Sequence, residues 1–238
     1  MNRLPNAKRA AILAMLVDGT SMRSIARLAE VSINTVAKLL NDVGEAAKAC
    51  HDERVRGIAG RRRIECSQTW AFSYAITGEA MPRESRNTWT FAAIEADSKL
   101  IVSYLVADKS RQTTAVLLGD VRSRLTENPE LSANDLSGYR GSRAQAAGAG
   151  QTGPSDVAPS IPANSEKRRL EKHVAMINLY ALHYNYCRVH PALEATPAME
   201  AGLDEVVREP GWIVDLVDAR AAKPNRPKRY RKRTGNSN

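Results

Sequence analysis

Cysteine side chains could form disulfides, and cysteine and histidine side chains could hold a metal ion. Cys50, Cys66 and Cys187 are odd in number and widely spaced, so they build neither a disulfide framework nor a four-ligand zinc cluster alone. His183 and His190 are not at metal-ligand spacing. The sequence therefore predicts packing and hydrogen bonding for His173, His183, His190 and Cys187. A reducing compartment fits the cysteines best.

Carboxylates at the start of a predicted helix over 166–188 are the other candidate metal ligands. Glu166 and Glu171 lie in a run that alternates acids with Lys167, Arg168, Arg169 and Lys172, which is typical of a solvated helix face. A divalent cation needs several converging oxygen ligands, which this run alone does not supply.

Positive charge is concentrated at the two ends of the 238-residue chain, whose net charge is +9. Residues 1–63 carry +6 and residues 220–238 carry +8, whereas residues 64–219 carry −5. Lysine and arginine contacts to phosphate supply most non-specific DNA affinity, so double-stranded DNA is the expected partner, with RNA and anionic membranes left open by charge alone. The longest apolar run, residues 10–17, is far short of the ~18 residues of a membrane span. We expect a cytoplasmic protein with no membrane partner.

Apolar residues at helical spacing predict three helices in the first 40 residues, over 6–18, 22–29 and 32–40. Gly19 ends the first helix, and Ser32 caps the third. The second and third helices with their tight turn resemble a helix-turn-helix, in which the third helix reads DNA. Glu30 stands where many such motifs have glycine at positive φ, so strain or a variant turn is expected there. The alternative is a three-helix cap with a solvated polar face.

The rest of the chain mixes strand and helix patterns. Strands are predicted over 63–74, 88–95 and 100–107, with a hairpin turn at 96–99 and a weak fourth strand within 129–139. Helices are predicted over 46–55, 111–125 and 166–188, followed by a short helix capped by Thr196 and a last amphipathic piece over 212–217. The apolar stripe of helix 166–188 is predicted to comprise Leu170, Val174, Ile177, Ala181 and Tyr184, with a second buried contact at Leu179 and Leu182.

Several of these segments resemble the catalytic core of bacterial insertion-sequence transposases of the DDE superfamily, whose core is a ribonuclease-H-like sheet. The resemblance covers about residues 6–139 and 166–218. The matching stretches are 64–70, 88–90, 93–102 and 131–139, and the most specific is Tyr184-Asn185-x2-Arg188-x-His190-x2-Leu193, followed by Thr196-Pro197-Ala198. From the residues themselves we expect Tyr184, Asn185 and Arg188 to anchor the turn that follows the helix.

The resemblance implies DNA phosphoryl transfer by two Mg²⁺ ions held by three carboxylates. Ser67 and Gln68 stand where the family has its first Asp context, and Asn134 stands at the second acid position, with Asp135 one residue away as a weak substitute. The third acid belongs on a helix before the closing signature, where only Glu166 and Glu171 remain. We therefore assign no catalytic residue and expect no metal site and no cofactor in this chain, although intact family members use Mg²⁺.

Residues 140–165 contain six Ala, four Gly and three Pro, a composition that predicts a flexible linker. A frameshift or an internal deletion there is a hypothesis that reading the encoding DNA in all three frames would test. The tail over 223–233 has seven basic residues and is expected to be disordered and to touch phosphate, the alternative being solubility alone.

The sequence thus predicts an α/β protein in five parts: a helix-turn-helix domain (1–60), the first part of an incomplete ribonuclease-H-like core (61–139), a linker (140–165), C-terminal core helices (166–219) and a basic tail (220–238). We expect a transposase-like protein that binds transposon-end DNA and has lost strand cleavage, with a homo-oligomer or an intact transposase as further partners. The alternatives are a non-catalytic DNA-binding competitor and a decayed reading frame. DNA contacts are assigned to Ser32, Ile33, Asn34, Thr35, Lys38, Arg61, Arg62, Arg63, Lys228, Arg229, Arg231, Lys232 and Arg233.

Overall fold

The computed structural model describes residues 4–73, 87–133 and 164–221, which form a mixed fold of helices and strands. The predicted α/β class is confirmed at this level. The helices are α1 (Asn6–Val17), α2 (Met22–Leu28), α3 (Ile33–Arg54), α4 (Arg111–Arg124), α5 (Asn164–Tyr186), α6 (Pro197–Glu200) and α7 (Pro210–Arg220); the strands are β1 (Arg63–Ser73), β2 (Asn87–Glu95), β3 (Ile101–Ala107) and β4 (Glu130–Ala133).

The first two helices begin and end close to where the sequence predicts. Gly19 follows α1 with a φ of 82°, and the Thr20 N–H donates to the Met15 carbonyl at 2.9 Å. This is the left-handed C-terminal cap for which glycine is suited. Ser21 caps α2 by accepting a hydrogen bond from the Ser24 N–H. The predicted helices over 6–18 and 22–29 are confirmed.

α3 is one continuous helix of 22 residues, whereas the sequence predicts separate helices over 32–40 and 46–55. The apolar pattern does not stop at Leu40, because Val43, Ala46, Ala47 and Cys50 are buried at the same helical spacing. The helix therefore extends about 33 Å at 1.5 Å per residue.

The sheet has the order β3-β2-β1-β4. β1, β2 and β3 are antiparallel neighbours, and β4 runs parallel to β1 in a register that ends at the pair Cys66 and Ala133. A parallel neighbour requires a crossover, and α4 lies in the connection between β3 and β4. The three predicted strands are confirmed, and the weak fourth strand is present as the four residues of β4.

The predicted hairpin between β2 and β3 is confirmed. Lys99 takes a positive φ of 59°, and the Glu95 carboxylate accepts hydrogen bonds from the backbone N–H groups of Asp97 and Ser98. Burial raises the pKa of Glu95, but these bonds and one from the Ser98 hydroxyl outweigh it, so the net direction is downward. An ionised, fully hydrogen-bonded carboxylate thus organises this turn.

One apolar core runs through the described residues from the N-terminal helices to the sheet and the C-terminal helices. It includes Ile25 of α2, Phe91 of β2 and Leu179 of α5. α1 is also tied to α7 by the ion pair of Arg9 and Asp218 at 2.6 Å. The first 60 residues therefore share buried surface with the C-terminal helices. No helix in the described ranges is long and apolar enough to cross a membrane.

The predicted main stripe of the helix before the closing signature is partly wrong. Leu170 and Ala181 are buried in α5, but Ile177 and Tyr184 are only half-buried. The predicted second buried contact at Leu179 and Leu182 is confirmed, and Asn185 and Tyr186 are fully buried on the same helix. α5 turns these residues inward because it packs along α3, where Asn178 donates a hydrogen bond to the Gly44 carbonyl at 3.1 Å.

Candidate nucleic-acid interface

Residues 29–32 join α2 to α3 in a turn closed by two backbone hydrogen bonds. The Val31 N–H donates to the Ala26 carbonyl at 2.9 Å, and the Glu30 N–H donates to the Arg27 carbonyl at 3.3 Å. Glu30 itself has a φ of 49°. This is a Schellman arrangement, in which the left-handed position normally holds glycine. Of the two alternatives expected at residue 30, strain or a variant turn, the positive φ favours strain, and a glutamate carries it.

Burial fixes which side of α3 faces outward. Ile25 of α2 and Val36 of α3 are both 0% exposed within the apolar core. In the first turn of α3, by contrast, Ile33 is 43% exposed and Asn34 is exposed. We call residues 22–42, from α2 through the first turns of α3, the head. The head presents its outward surface at the start of α3.

Ser32 and Thr35, two of the residues assigned to DNA, bond to each other. The Ser32 hydroxyl accepts the Thr35 N–H at 3.1 Å, and the two hydroxyl oxygens lie 2.8 Å apart. This is the N-cap that satisfies a backbone donor at the helix start. Both hydroxyl groups therefore already make hydrogen bonds at the helix cap, and a DNA contact would have to be made in addition to these bonds or in place of them.

Lys38 lies one turn further along the same helix, and its ammonium group pairs with Asp42 at 2.6 Å. Both side chains are largely exposed, at 60% and 43%. Exposed ion pairs contribute little stability, on the order of 0–1 kcal/mol. Lys38 can therefore exchange Asp42 for a phosphate at small cost.

Two further cations lie on α2. Arg23 and Arg27 are exposed, while Glu30 places one negative charge in the turn that follows. With Lys38 and Asp42 included, the charged residues of the head are three cations and two anions. The surface is mildly basic, and Glu30 opposes anion binding at its centre.

The triplet Arg61, Arg62 and Arg63 stands before and at the start of β1 rather than in the head. Arg62 donates to the Ala59 carbonyl at 2.9 Å and approaches the Glu95 carboxylate at 4.0 Å. Arg63 pairs with Asp97 at 3.5 Å. Two of the three arginines thus neutralise acids of the β2–β3 hairpin, and Arg61 is exposed. The basic residues of the tail, Lys228, Arg229, Arg231, Lys232 and Arg233, lie outside the described residues.

Ser67 occupies β1 one residue beyond the last register pair with β4, Cys66 and Ala133. It is half-buried, and its antiparallel partner is Ala92 of β2. Asn134 and Asp135 follow β4 directly in the sequence and lie outside the described residues. Ser67, which stands at the first acid position by resemblance, thus lies one residue beyond the last described pair of β1 and β4.

The carboxylates do not gather around Ser67 in the part of the chain that the structure describes. Glu65, two residues earlier on β1, is exposed, and Glu171 is exposed on α5. The side chain of Glu166 is outside the described residues. Within those residues, no group of three or more His, Cys, Asp or Glu side chains could hold a metal ion.

The histidines are engaged in packing and hydrogen bonds. His173 Nε2 lies 3.1 Å from the Thr90 hydroxyl, and His190 Nδ1 accepts the Ala192 N–H at 3.3 Å. Burial lowers the pKa of both His173 and His183. The packing and hydrogen-bonding roles predicted for the histidines are confirmed for His173 and His190.

The thiols of Cys50, Cys66 and Cys187 are free, and burial raises the pKa of Cys66 to about 12.

Asn185, in the centre of the closing signature, is fully buried and bonds to a strand. Its amide oxygen accepts the Ile101 N–H and its amide nitrogen donates to the Ile101 carbonyl, both at 2.9 Å. Asn185 was expected to anchor the turn after α5 together with Tyr184 and Arg188. It instead anchors the start of β3, and Arg188 is exposed. This part of the signature has a structural role in this chain.

A charge network around one buried arginine joins α3 to α4, and it has no counterpart in the sequence prediction. Arg124 is only 2% exposed and donates to Asp120 at 2.7 Å and to Asp52 at 2.5 Å. Asp120 also accepts the Ser103 hydroxyl at 2.5 Å. His51, beside Asp52, contacts the Val102 carbonyl through Nε2 at 3.1 Å. The C-terminal half of α3 is thereby fastened to β3 and α4.

Comparison with known proteins adds no assignment, because the chain matches no family model and no curated protein.

Proposed function

We propose that this chain is a transposase-like protein that binds double-stranded transposon-end DNA through the head and does not cut it. The observation that carries the proposal is the Schellman turn at Glu30, which aims the exposed first turn of α3 away from the core. The head then acts as a helix-turn-helix with α3 as the recognition helix.

The dimensions of the head support this role. α2 and α3 are separated by the four residues 29–32, which matches the short turn of the DNA-binding motif. Ile25 of α2 and Val36 of α3 are both buried in one apolar core, so the outward surface is preformed. A preformed surface does not have to be ordered at the moment of binding.

The continuous α3 extends this argument to the rest of the protein. Its first turn would lie in the groove, while Asp52 near its last turn pairs with buried Arg124. A helix anchored this way holds the recognition surface at a fixed orientation to the sheet. Binding energy is then not lost to reorientation of a mobile domain.

The loss of cleavage is argued from Ser67. In the related transposases the first strand and the end of the fourth strand each supply one metal-binding acid. Here β1 and β4 are parallel neighbours, and the two matching positions are Ser67 and Asn134. Both are neutral, so they do not provide the charge that two Mg²⁺ ions require. These residues do not fit the metal site, and we assign no catalytic step to this chain.

The binding claim is tested with the full chain and a library of randomised duplexes, followed by affinity measurement on the selected sequence. We expect binding that weakens as salt rises, because phosphate contacts release counterions. Lys38→Ala should weaken binding to all duplexes about equally and reduce the salt dependence. Equal retention of every library member by the wild type would contradict a sequence-reading head.

The cleavage claim is tested on the selected duplex with Mg²⁺ and with Mn²⁺. We expect no metal-dependent strand breaks. A nicked product that disappears in Asp135→Ala would overturn the inactive assignment while leaving the binding claim intact.

A further inference from the structure

The five head residues assigned to DNA do not have the same freedom to read bases. Ser32 and Thr35 are bonded to each other at the helix cap, 2.8 Å apart. Lys38 is a compact charge paired with Asp42, and an ammonium group suits phosphate more than a particular base. Base discrimination therefore rests on the two exposed residues of the first turn, Ile33 and Asn34.

We infer that Asn34 and Ile33 read an A·T base pair in the major groove, which makes an A·T pair the required element of the half-site. This inference rests on the proposed function. Asn34 contacts the adenine edge, and Ile33 contacts a thymine methyl group on the same or the neighbouring pair.

The chemistry of Asn34 selects adenine. Its amide offers a donor and an acceptor side by side, which match the N7 acceptor and N6 donor of adenine. Guanine presents two acceptors at the same positions, so the amide oxygen would face an oxygen. Asparagine therefore discriminates against a G·C pair at that position.

The chemistry of Ile33 selects thymine. A branched apolar side chain that is 43% exposed at the start of a helix gains little from water. In the major groove the thymine C5-methyl is the apolar group that a base pair offers. Leu28, 66% exposed at the end of α2, is a second exposed apolar side chain of the head.

Charge complementarity identifies the occupant of this apolar surface. Arg23 and Arg27 are exposed on α2, the helix that ends at Leu28. An apolar pair flanked by cations matches thymine methyl groups flanked by phosphates. An apolar protein surface would leave these cations without partners.

The test measures affinity for the selected duplex with single-atom changes at the proposed pair. Replacing adenine by 7-deazaadenine removes the N7 acceptor, and replacing thymine by uracil removes the methyl group. For the wild type we expect about a fivefold or larger loss with 7-deazaadenine and about a threefold loss with uracil. Asn34→Ala should no longer respond to 7-deazaadenine but should still respond to uracil, and Ile33→Ala should show the reverse.

Asn128→Ala is the matched control. Asn128 is an exposed asparagine in the connection between α4 and β4, outside the head, and this variant should keep both responses. If the wild type binds the duplex specifically but ignores both analogues, the A·T inference is overturned and the proposed function stands. If no variant binds any duplex, the proposed function fails and the inference fails with it.

Discussion

Gly44 of α3 lies so close to Ala175 of α5 that a β-carbon added at residue 44 would be 2.6 Å from the Ala175 Cα. Real β-carbons do not approach backbone atoms so closely. The contact lets the Asn178 amide reach the Gly44 carbonyl at 3.1 Å. Glycine is therefore required inside a helix, where it is otherwise unfavourable by about 1 kcal/mol relative to alanine.

Gly44→Ala should destabilise the protein by about 1–3 kcal/mol, because the two helix backbones must separate. The gain in helix propensity offsets only part of this loss. Gly119→Ala is the control: Gly119 is exposed in α4 with no atom within 4 Å of an added β-carbon, so this variant should be more stable by about 0.5–1 kcal/mol. Urea unfolding of both variants gives the comparison, and equal stabilisation by both would show that the helices do not pack this closely.

Arg124→Met should destabilise the protein by about 2–3 kcal/mol, because it leaves the buried Val55 carbonyl without its donor and removes a cation from Asp52 and Asp120. Lys48→Met removes another cation from Asp52, but Lys48 is 48% exposed, so the expected cost is within about 1 kcal/mol. The free energies of unfolding in urea distinguish the two. Similar losses would mean that burial of Arg124 does not make its ion pairs stronger.

Local patterns in the sequence account for most of the elements. The Ser32 cap, the Gly19 stop and the β-branched and aromatic residues of the strands are local features, and the elements that they predict are confirmed. The close approach of residues 44 and 175, which lets α5 pack along α3, joins distant parts of the chain, and no local pattern contains it. Likewise one of the two ion pairs of buried Arg124 is with Asp52, which lies on a distant helix.

The candidate site was predictable to a different extent at each residue. The exposure of Ile33 and Asn34 and the left-handed Glu30 follow from the helix-turn-helix resemblance. Serine and threonine can both cap a helix and contact bases, and here the hydroxyl groups of Ser32 and Thr35 bond at the helix cap. The sequence pattern alone did not distinguish these two roles. The position of Ser67 beside the end of β4 required the register of a parallel pair, which forms between residues more than 60 apart.

Glu30→Gly should stabilise the protein by about 1 kcal/mol, because glycine adopts the φ of 49° without a β-carbon clash. Glu45→Gly, at an exposed position inside α3, should instead destabilise it by about 1 kcal/mol. Thermal unfolding of the pair checks the sign.

Glu30→Gln separates the charge of this residue from its conformation. The amide keeps a side chain at the left-handed position and removes the negative charge beside the recognition surface. We therefore expect unchanged stability and tighter DNA binding, with the gain shrinking as salt rises. A gain that is independent of salt would argue against an electrostatic cause.

The free energy of unfolding should decrease as the pH falls from about 6.5 to about 3, because His51 is protonated in the unfolded chain and neutral in the folded one. Burial is the main cause that lowers the pKa of His51 to about 3, and the nearby Arg124 cation acts in the same direction. The unfolded chain takes up this proton near pH 6.5 and the folded chain does not, so stability present above pH 6.5 is lost as the pH falls. At pH 5 the loss is about 2 kcal/mol, at 1.36 kcal/mol per pH unit.

His51→Gln isolates this contribution, since glutamine can donate to the Val102 carbonyl but takes up no proton. Its stability should change less than that of the wild type between pH 7 and pH 5, by about the same 2 kcal/mol. The other titrating groups, including His173 and His183, are common to both proteins and cancel in the difference. Parallel curves over this interval would mean that His51 is not buried in its neutral form.

Asn185→Ala should be among the most damaging single substitutions. Asn185 is 0% exposed and satisfies both the N–H and the carbonyl of Ile101. Removing its amide leaves two buried backbone groups without partners, at about 1–3 kcal/mol each. Asn41→Ala, at an exposed position of α3, should change the free energy of unfolding by no more than about 0.5 kcal/mol.

Asn185→Asp separates the two bonds. It keeps an acceptor for the Ile101 N–H but places a carboxylate oxygen against the Ile101 carbonyl. Its stability should therefore recover towards that of the wild type as the pH falls, because the protonated carboxyl can donate to that carbonyl. An Asn185→Asp variant that is equally stable from pH 7 to pH 4, relative to the wild type, would show that the Ile101 carbonyl does not need this donor.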